Sequence, residues 1–552
     1  MALKTVVRLL SLALVGLVSG DLTYTPARIR QLKQEAANQL SKRDVNPARL
    51  YPAHNISVPV DHFQNETLYE PHSNATFPLR YFFDAQYYKP GGPVIVLESG
   101  ETSATDRLPY LQKGLLQQLA EATNGIGVVL EHRYYGTSFP TSDLSTESLR
   151  FLTTEQALAD TAYFAQNVVF PGLENETLTA PTVPYIAYGG SYAGAFVAYL
   201  RVLYPDVYYG AISSSGVIEA IWDYWQYYQP IIDYGPQPCI SNTQKLINVV
   251  DNILIGKNDS SLTTELKTFF GLENISHDDD FASVLSSFVG GWQGRNWDPA
   301  VDSSSSFYSY CGNLSSSTVL SNATASQTAE AQKLIEAGGW GNETDTLTTP
   351  LLNFQNWINI NEVEPAAESK QSQDLYFGSH GNTYFGYANY TADDLSQASW
   401  RSWPYQYCSE WGYLQTGSGF PDTELSLVSR TNTLAYQSII CEKAFNITTP
   451  PDTDRINRYG GYNISYSRLA YLDGEEDPWR PATAHSKLTA NRTSTTDEPY
   501  ILISGAVHHW DENGLFPNQT TANLPPEPVK SAQTAEISFV KAWLADFQAP
   551  AH

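Results

Sequence analysis

Basic residues are scarce in this chain. Only 32 Lys and Arg stand against 58 Asp and Glu in 552 residues, a formal net charge of −26. So acidic a chain repels nucleic-acid phosphates and anionic membrane surfaces, and it suits mildly acidic surroundings. Charged residues are only 16% and hydrophobic residues 42%, which excludes a disordered polymer. Cysteine is sparse too: Cys239, Cys311, Cys408 and Cys441 have no C-x-x-C spacing, so two disulfides fit better than a zinc site. Of the three pairings, Cys239 with Cys311 and Cys408 with Cys441 closes the shorter loops. No H-E-x-x-H, P-loop or dinucleotide fingerprint occurs, so no metal and no cofactor are expected. The run His277-Asp278-Asp279-Asp280 reads as a solvated loop, and the Asp473–Asp477 cluster lacks calcium-loop spacing. Internal repeats are absent. Beyond the N-terminus no stretch approaches roughly 18 uninterrupted apolar residues, so membrane insertion is not expected.

What is present begins with a leader. Lys4 and Arg8 precede the apolar run 9–18 and the small pair Ser19-Gly20, the pattern of a secretory signal peptide over 1–20. The chain is therefore expected to be secreted or to enter an acidic lumen. Lys42-Arg43 supports two readings, a dibasic processing site that makes 21–43 a propeptide, or the charged end of a helix. Fourteen N-x-S/T sequons agree with secretion: Asn55, Asn65, Asn74, Asn175, Asn258, Asn274, Asn313, Asn322, Asn342, Asn389, Asn446, Asn463, Asn491 and Asn518.

The length is several times that of a usual domain. Apolar runs at 94–97, 126–130, 185–188 and 210–215, separated by helical patterns such as 157–168, imply a mainly parallel sheet. After Gly216 the alternation stops, and aromatic, polar and helical stretches follow. Strand patterns resume at 468–472 and 500–503, and an amphipathic helix is expected over 535–547. The organisation read is α/β: a core over 44–216, a mostly helical insertion over 217–415, and the rest of the core over 416–552.

One motif carries chemistry. Gly189-Gly190-Ser191-Tyr192-Ala193-Gly194 lies between a strand and a helix, as a nucleophile elbow requires. A serine nucleophile needs a base and an orienting carboxylate, which follow at the ends of later strands. Asp473 and Asp477 compete for the acid; Asp477, deeper in its loop, is preferred. For the base, His508 and His509 sit at a strand end and are not separable on position, while His485 is expected on a following helix. Oxyanion donors would be the amide of Tyr192 and one from the loop Ser99-Gly100-Glu101-Thr102. Glu101 is either solvated or a contact for the polar end of a substrate.

Several phrases together then become recognisable. Leu130-Glu131-His132-Arg133-Tyr134-Tyr135-Gly136, Leu152-Thr153-Thr154-Glu155-Gln156-Ala157-Leu158-Ala159-Asp160, the elbow, Asp477-Pro478-Trp479 and His508-His509 occur in this order. With Asp61-His62-Phe63 they resemble the serine peptidase family of lysosomal Pro-X carboxypeptidase, dipeptidyl peptidase II and secreted fungal acid prolyl peptidases. The resemblance spans roughly 55–545. It implies an α/β-hydrolase core with a large, mostly helical cap insertion, a Ser191–Asp477–His508 triad, and cleavage of proline-containing peptides after proline at acidic pH. The proline pocket should be aromatic, since the ring is apolar and lacks an N–H. Trp479 and Trp403 are proposed walls, with ordinary core packing as the plain alternative. Glu101 or Glu410 would suit a terminal amine. Three departures from the family pattern, Ala193, Asp473 and the extra Val507, remove no catalytic group. An esterase or lipase on the same fold and a catalytically silent binding protein are the competing readings. Exo- versus endopeptidase action and oligomeric state, a homodimer included, stay open.

Overall fold

The computed structural model describes residues 50–257, 259–380 and 399–549. The leader, the 21–43 segment, Asn258 and Asn389 lie outside the described residues. Eight strands form one sheet: β1 (His54–Pro59), β2 (Thr76–Asp84), β3 (Val94–Glu98), β4 (Ile126–Leu130), β5 (Tyr185–Gly190), β6 (Gly210–Ser214), β9 (Leu469–Gly474) and β10 (Tyr500–Ile503). Their order is β1-β2-β4-β3-β5-β6-β9-β10. β2 runs antiparallel to both β1 and β4, and every later pair is parallel. This is the α/β-hydrolase sheet.

The apolar runs are continuous because both faces of the sheet are covered. Val94 and Val96 join one core with Val128 and Ala187, whereas Ile95 and Leu97 join the other with Val129 and Ile186. The second face is sealed by α1 (Leu115–Thr123) and the C-terminal α10 (Glu527–Ala545), whose Val540 and Trp543 pack there. On the first face lie α2 (Thr154–Asn167) and α3 (Tyr192–Leu203). Thr153 caps α2 by accepting from the Gln156 amide. The last helix begins eight residues before the expected 535, at Glu527 with Pro528 in its first turn.

Phrases that carried the resemblance meet beside β1. Arg133, fully buried, donates from Nε and Nη2 to Asp160 at 2.6 Å each, and His62 Nε2 stands 2.7 Å from the same carboxylate. Gln156 Nε2 donates to Asp61 at 2.8 Å. A buried cation needs such complete pairing, so these residues are structural.

Between β6 and β9 the chain makes its excursion. β7 (Ile221–Asp223) leaves the core and pairs in parallel with β8 (Gly412–Leu414), which returns to it. The helices between are α4 (Gln237–Asp251), α5 (Ser260–Phe269), α6 (Asp278–Val284), α7 (Ser305–Leu314), α8 (Ala325–Ala337) and α9 (Thr344–Ile358). Their apolar faces are continuous with the first core through Leu246, Tyr310, Leu334 and Phe354. Cys239 bonds to Cys311, tying α4 to α7, and Cys408 bonds to Cys441. Both are the pairings that close the shorter loops.

Two local expectations fail. The acidic run is no solvated loop: Asp278, Asp279 and Asp280 open α6, and Asp280 is buried. His485 lies in a turn after the short helix Arg480–Ala482, not on a helix. Among the described residues no helix is long and apolar enough to cross a membrane. The described sequon asparagines are exposed, save the half-buried Asn313.

Candidate active site

β5 delivers Ser191 into a conformation that L-residues avoid, φ 61° and ψ −124°. The turn survives because its neighbours lack side chains. A Cβ on Gly189 would lie 2.1 Å from the Ala193 carbonyl oxygen, and one on Gly194 would lie 2.8 Å from both Gly216 Cα and the Ser214 oxygen. Crowding thus falls on 189 and 194, which is why the elbow accepts Ala193. The Ser191 amide donates to Ser214 at 2.9 Å, and the Ser191 carbonyl accepts from Gly194 and Ala195.

The loop after β3 meets this turn. Gly100, at φ 66°, would bring a Cβ to 3.3 Å from Ala193 Cβ. The segment expected to supply the second oxyanion donor therefore lies against the first turn of α3, whose leading residue is Tyr192. The Tyr192 ring is buried between the edges of Trp403 and Trp411, with centroids 5.4 and 5.1 Å away. Its hydroxyl receives Gln406 Nε2 at 3.0 Å and lies 2.9 Å from His132 Nε2. Burial pushes the His132 pKa down to about 4, so this imidazole is neutral.

Asp477 and His508 come from the loops after β9 and β10. His508 Nδ1 stands 2.8 Å from Asp477 Oδ2, and Asp477 Oδ1 accepts the Trp479 amide at 2.9 Å. Both residues are buried. With Nδ1–H directed to the carboxylate, His508 Nε2 is an acceptor, and it is buried with no hydrogen-bond partner. Burial lowers the His508 pKa, against the opposing pull of Asp477. The same loop touches the elbow, since a Cβ on Gly190 would meet the His509 ring at 3.2 Å.

The two histidines, inseparable on position, divide by partner. His509 Nδ1 lies 3.0 Å from Glu512 Oε2 without the alignment of a good hydrogen bond, and its amide donates to Ser215 Oγ. Burial disfavours a charge on His509, but Glu512 outweighs it and raises the pKa. Arg107 Nη1 lies 3.7 Å from the same Glu512 oxygen. Glu101 is buried in this group, not solvated, and burial lifts its pKa to about 7 against the pull of Arg107 and His509. Asp473 serves a different histidine, with Oδ2 2.6 Å from His485 Nδ1.

The proposed pocket residues divide as well. Trp479 is buried, stacks on Tyr224 at 5.2 Å, meets Tyr413 edge-on, and lies 6.4 Å from the His508 ring. Glu410 is spent elsewhere. Its Oε1 accepts from the amide and hydroxyl of Thr154 at 2.8 and 2.7 Å, closing the N-terminus of α2. The cap reaches both loops: Trp292 Nε1 donates to the Glu476 carbonyl, Trp297 Nε1 to that of Trp510, and Trp510 Nε1 to that of Arg295. Arg107, Glu512 and His132 escaped the reading of the sequence. Only the three-residue spacing of His509 and Glu512 gave a local sign of one of them.

The chain is similar to known serine peptidases along most of its length. The family model described as Serine carboxypeptidase S28 matches residues 58–523. A relative from Arthroderma benhamiae, named "Probable extracellular serine carboxypeptidase", is 51% identical over 97% of this chain and 73% of its own length. "Serine protease vicPa" of Bipolaris victoriae is 30% identical over 86% of both chains. "Thymus-specific serine protease" of Mus musculus is 25% identical over 73% of this chain and 72% of its own.

Proposed function

This chain belongs to the serine carboxypeptidase S28 family, and on that premise we propose that it is a secreted peptidase cleaving after proline through an acyl-enzyme on Ser191. The observation that carries the reading is the unpartnered, buried Nε2 of His508, whose Nδ1 is held by Asp477. In the reaction, Ser191 Oγ attacks the scissile carbonyl while its proton passes to His508 Nε2. Asp477 keeps the imidazole in the required tautomer and stabilises its charged form. The amide of Tyr192, with one from the loop at Gly100, receives the oxyanion. His508 then protonates the leaving amine, and water, deprotonated by the same nitrogen, releases the acid.

Proline specificity is supported by the aromatic group of Trp479, Tyr224 and Tyr413 beside His508. A prolyl ring offers apolar surface and no N–H, which suits aromatic walls. Trp403, against Tyr192, flanks the elbow. Action in mild acid is supported by the lowered His508 pKa, which preserves a neutral base below pH 6.5. Secretion is supported by the exposed sequons and the name of the Arthroderma relative. The carboxypeptidase mode is preferred from the family and that relative; Glu410, committed to Thr154, lends no support to capture of a terminal amine.

The test uses secreted enzyme and a proline-containing peptide with free, then blocked, C-terminus, with products read by mass spectrometry. Release of the residue after proline only from the free form is expected, and Ser191→Ala should abolish it while leaving secretion intact. Cleavage of the blocked peptide would remove the carboxypeptidase mode. Substantial turnover by Ser191→Ala would remove the mechanism.

A further inference from the structure

The three aspartates opening α6 have separate tasks. Asp278 pairs with Lys267 Nζ at 2.8 Å. Asp280 turns inward, where one oxygen accepts the Ser379 amide at 2.7 Å and the Tyr436 hydroxyl at 3.0 Å. Asp279 faces two imidazoles. His380 Nε2 lies 3.0 and 2.9 Å from its two oxygens, and the His277 ring stacks on that of His380 with centroids 3.9 Å apart. One ligand atom from each of His277, Asp279 and His380 lies within 4.8 Å of the others. Among the described residues this is the one such group of three.

We propose that His277, Asp279 and His380 form a binding site for a divalent first-row transition ion, in the cap and apart from Ser191. Two imidazole nitrogens and a carboxylate oxygen are the donors zinc takes at about 2.0–2.2 Å, which sets ligands of a tetrahedral site roughly 3.3–3.5 Å apart. The His380–Asp279 spacing is already near this value, and the His277 ring stacks on that of His380. Three protein ligands leave a fourth position for water. The set contains no sulfur, so it favours Zn²⁺, Cu²⁺ or Ni²⁺ over soft ions, and an imidazole pair makes it a poor site for Ca²⁺ or Mg²⁺. His277 and Asp279 are one turn-start of α6, whereas His380 follows the short helix Gln373–Phe377. A bound ion would therefore clasp two cap segments about a hundred residues apart, beside the existing Asp280 bridge. The Lys443 ammonium donates to the His380 carbonyl, a backbone contact that leaves the imidazole to Asp279.

The test takes full secreted protein, stripped with a chelator and dialysed, and titrates ZnCl₂ at neutral pH by calorimetry. CoCl₂ is followed in parallel by visible absorption. One saturable zinc site is expected, with tetrahedral Co²⁺ bands that zinc displaces. The double variant His277→Ala/His380→Ala should weaken zinc at least about tenfold and lose the cobalt bands. Peptidase activity of the variant, expected to stay near wild type, reports that it is folded. A Ser191→Ala protein should bind zinc unchanged, which separates this site from the proposed triad. Absence of saturable zinc binding overturns the proposal. So does unchanged affinity in the folded double variant, because the ion then sits elsewhere.

Discussion

Asp473, in β9, and His485 form a buried pair, Oδ2 to Nδ1 at 2.6 Å, distinct from the Asp477–His508 pair. The His485 ring also stacks on Tyr500 with centroids 3.6 Å apart. The chain thus builds two aspartate–histidine units from neighbouring aspartates, and in the Asp477–His508 unit the second imidazole nitrogen is left buried without a hydrogen-bond partner. Asp477→Asn should lower kcat by on the order of 10³- to 10⁴-fold with little change in Tm. Asp473→Asn should do the reverse, lowering Tm while kcat stays near wild type. Comparable losses of kcat in both variants would refute the division.

The elbow gives a steric test. Gly189→Ala places a methyl 2.1 Å from the Ala193 carbonyl oxygen, a backbone atom that can retreat only by unwinding the first turn of α3. The expected result is loss of about 1–3 kcal/mol or more of stability by chemical denaturation, with activity lost even in the folded fraction. Ala193→Gly, at the uncrowded position, should leave the rate near wild type.

Activity should depend on pH through two groups. A protonated His508 cannot accept from Ser191, so kcat/KM falls as acid protonates it, and this limb lies below pH 6.5 because burial lowers its pKa. Glu101, with a pKa of about 7, changes charge beside the elbow near neutrality. A second inflection near pH 7 is expected in the wild-type profile. Glu101→Gln fixes the neutral form and should remove that inflection while preserving the acid limb; its persistence would exclude Glu101.

Stability should fall as pH rises above about 4. Burial raises Glu98 to about 8, Glu101 to about 7 and Asp251 to about 6. Between the ordinary carboxylate range and these values the unfolded chain gives up protons that the folded chain retains, so each rise in pH favours unfolding. Asp160 and His132 act in the opposite sense: Arg133 outweighs burial and lowers Asp160, burial lowers His132 to about 4, and both contributions are lost in acid. Tm should therefore be higher at pH 5 than at pH 8. Glu98→Gln should flatten the slope above pH 6, and a Tm that rises toward pH 8 would contradict the account.

What could be read from the sequence was what local pattern encodes. Val94, Val96, Ile126 and Val128 announce their strands because a strand buried on both faces needs an unbroken apolar run. β1 and β2 escaped because each presents one face to solvent, with Asn55 and Ser57 alternating with Ile56 and Val58. The serine, the preferred aspartate and the histidine pair were legible as chain order and loop position. Their division of labour was not. His508 meets Asp477 whereas His509 lies against Glu512, and Glu410 looked available because its partner Thr154 is 256 residues away. The aspartate run misled for the same reason, since Ser379, Tyr436 and His380 are distant in sequence.

β7 and β8 leave the two ends of the cap side by side, Ile221 against Gly412. An excursion whose ends coincide costs the core one loop closure, and that cost grows only slowly with the length enclosed. Chain closure therefore constrains the length of the cap only weakly. Segments could be trimmed, lengthened or exchanged with those of a relative while β5, β9 and β10 keep their register. Evolution or an engineer could then reset which peptides enter without rebuilding the atoms that cut them.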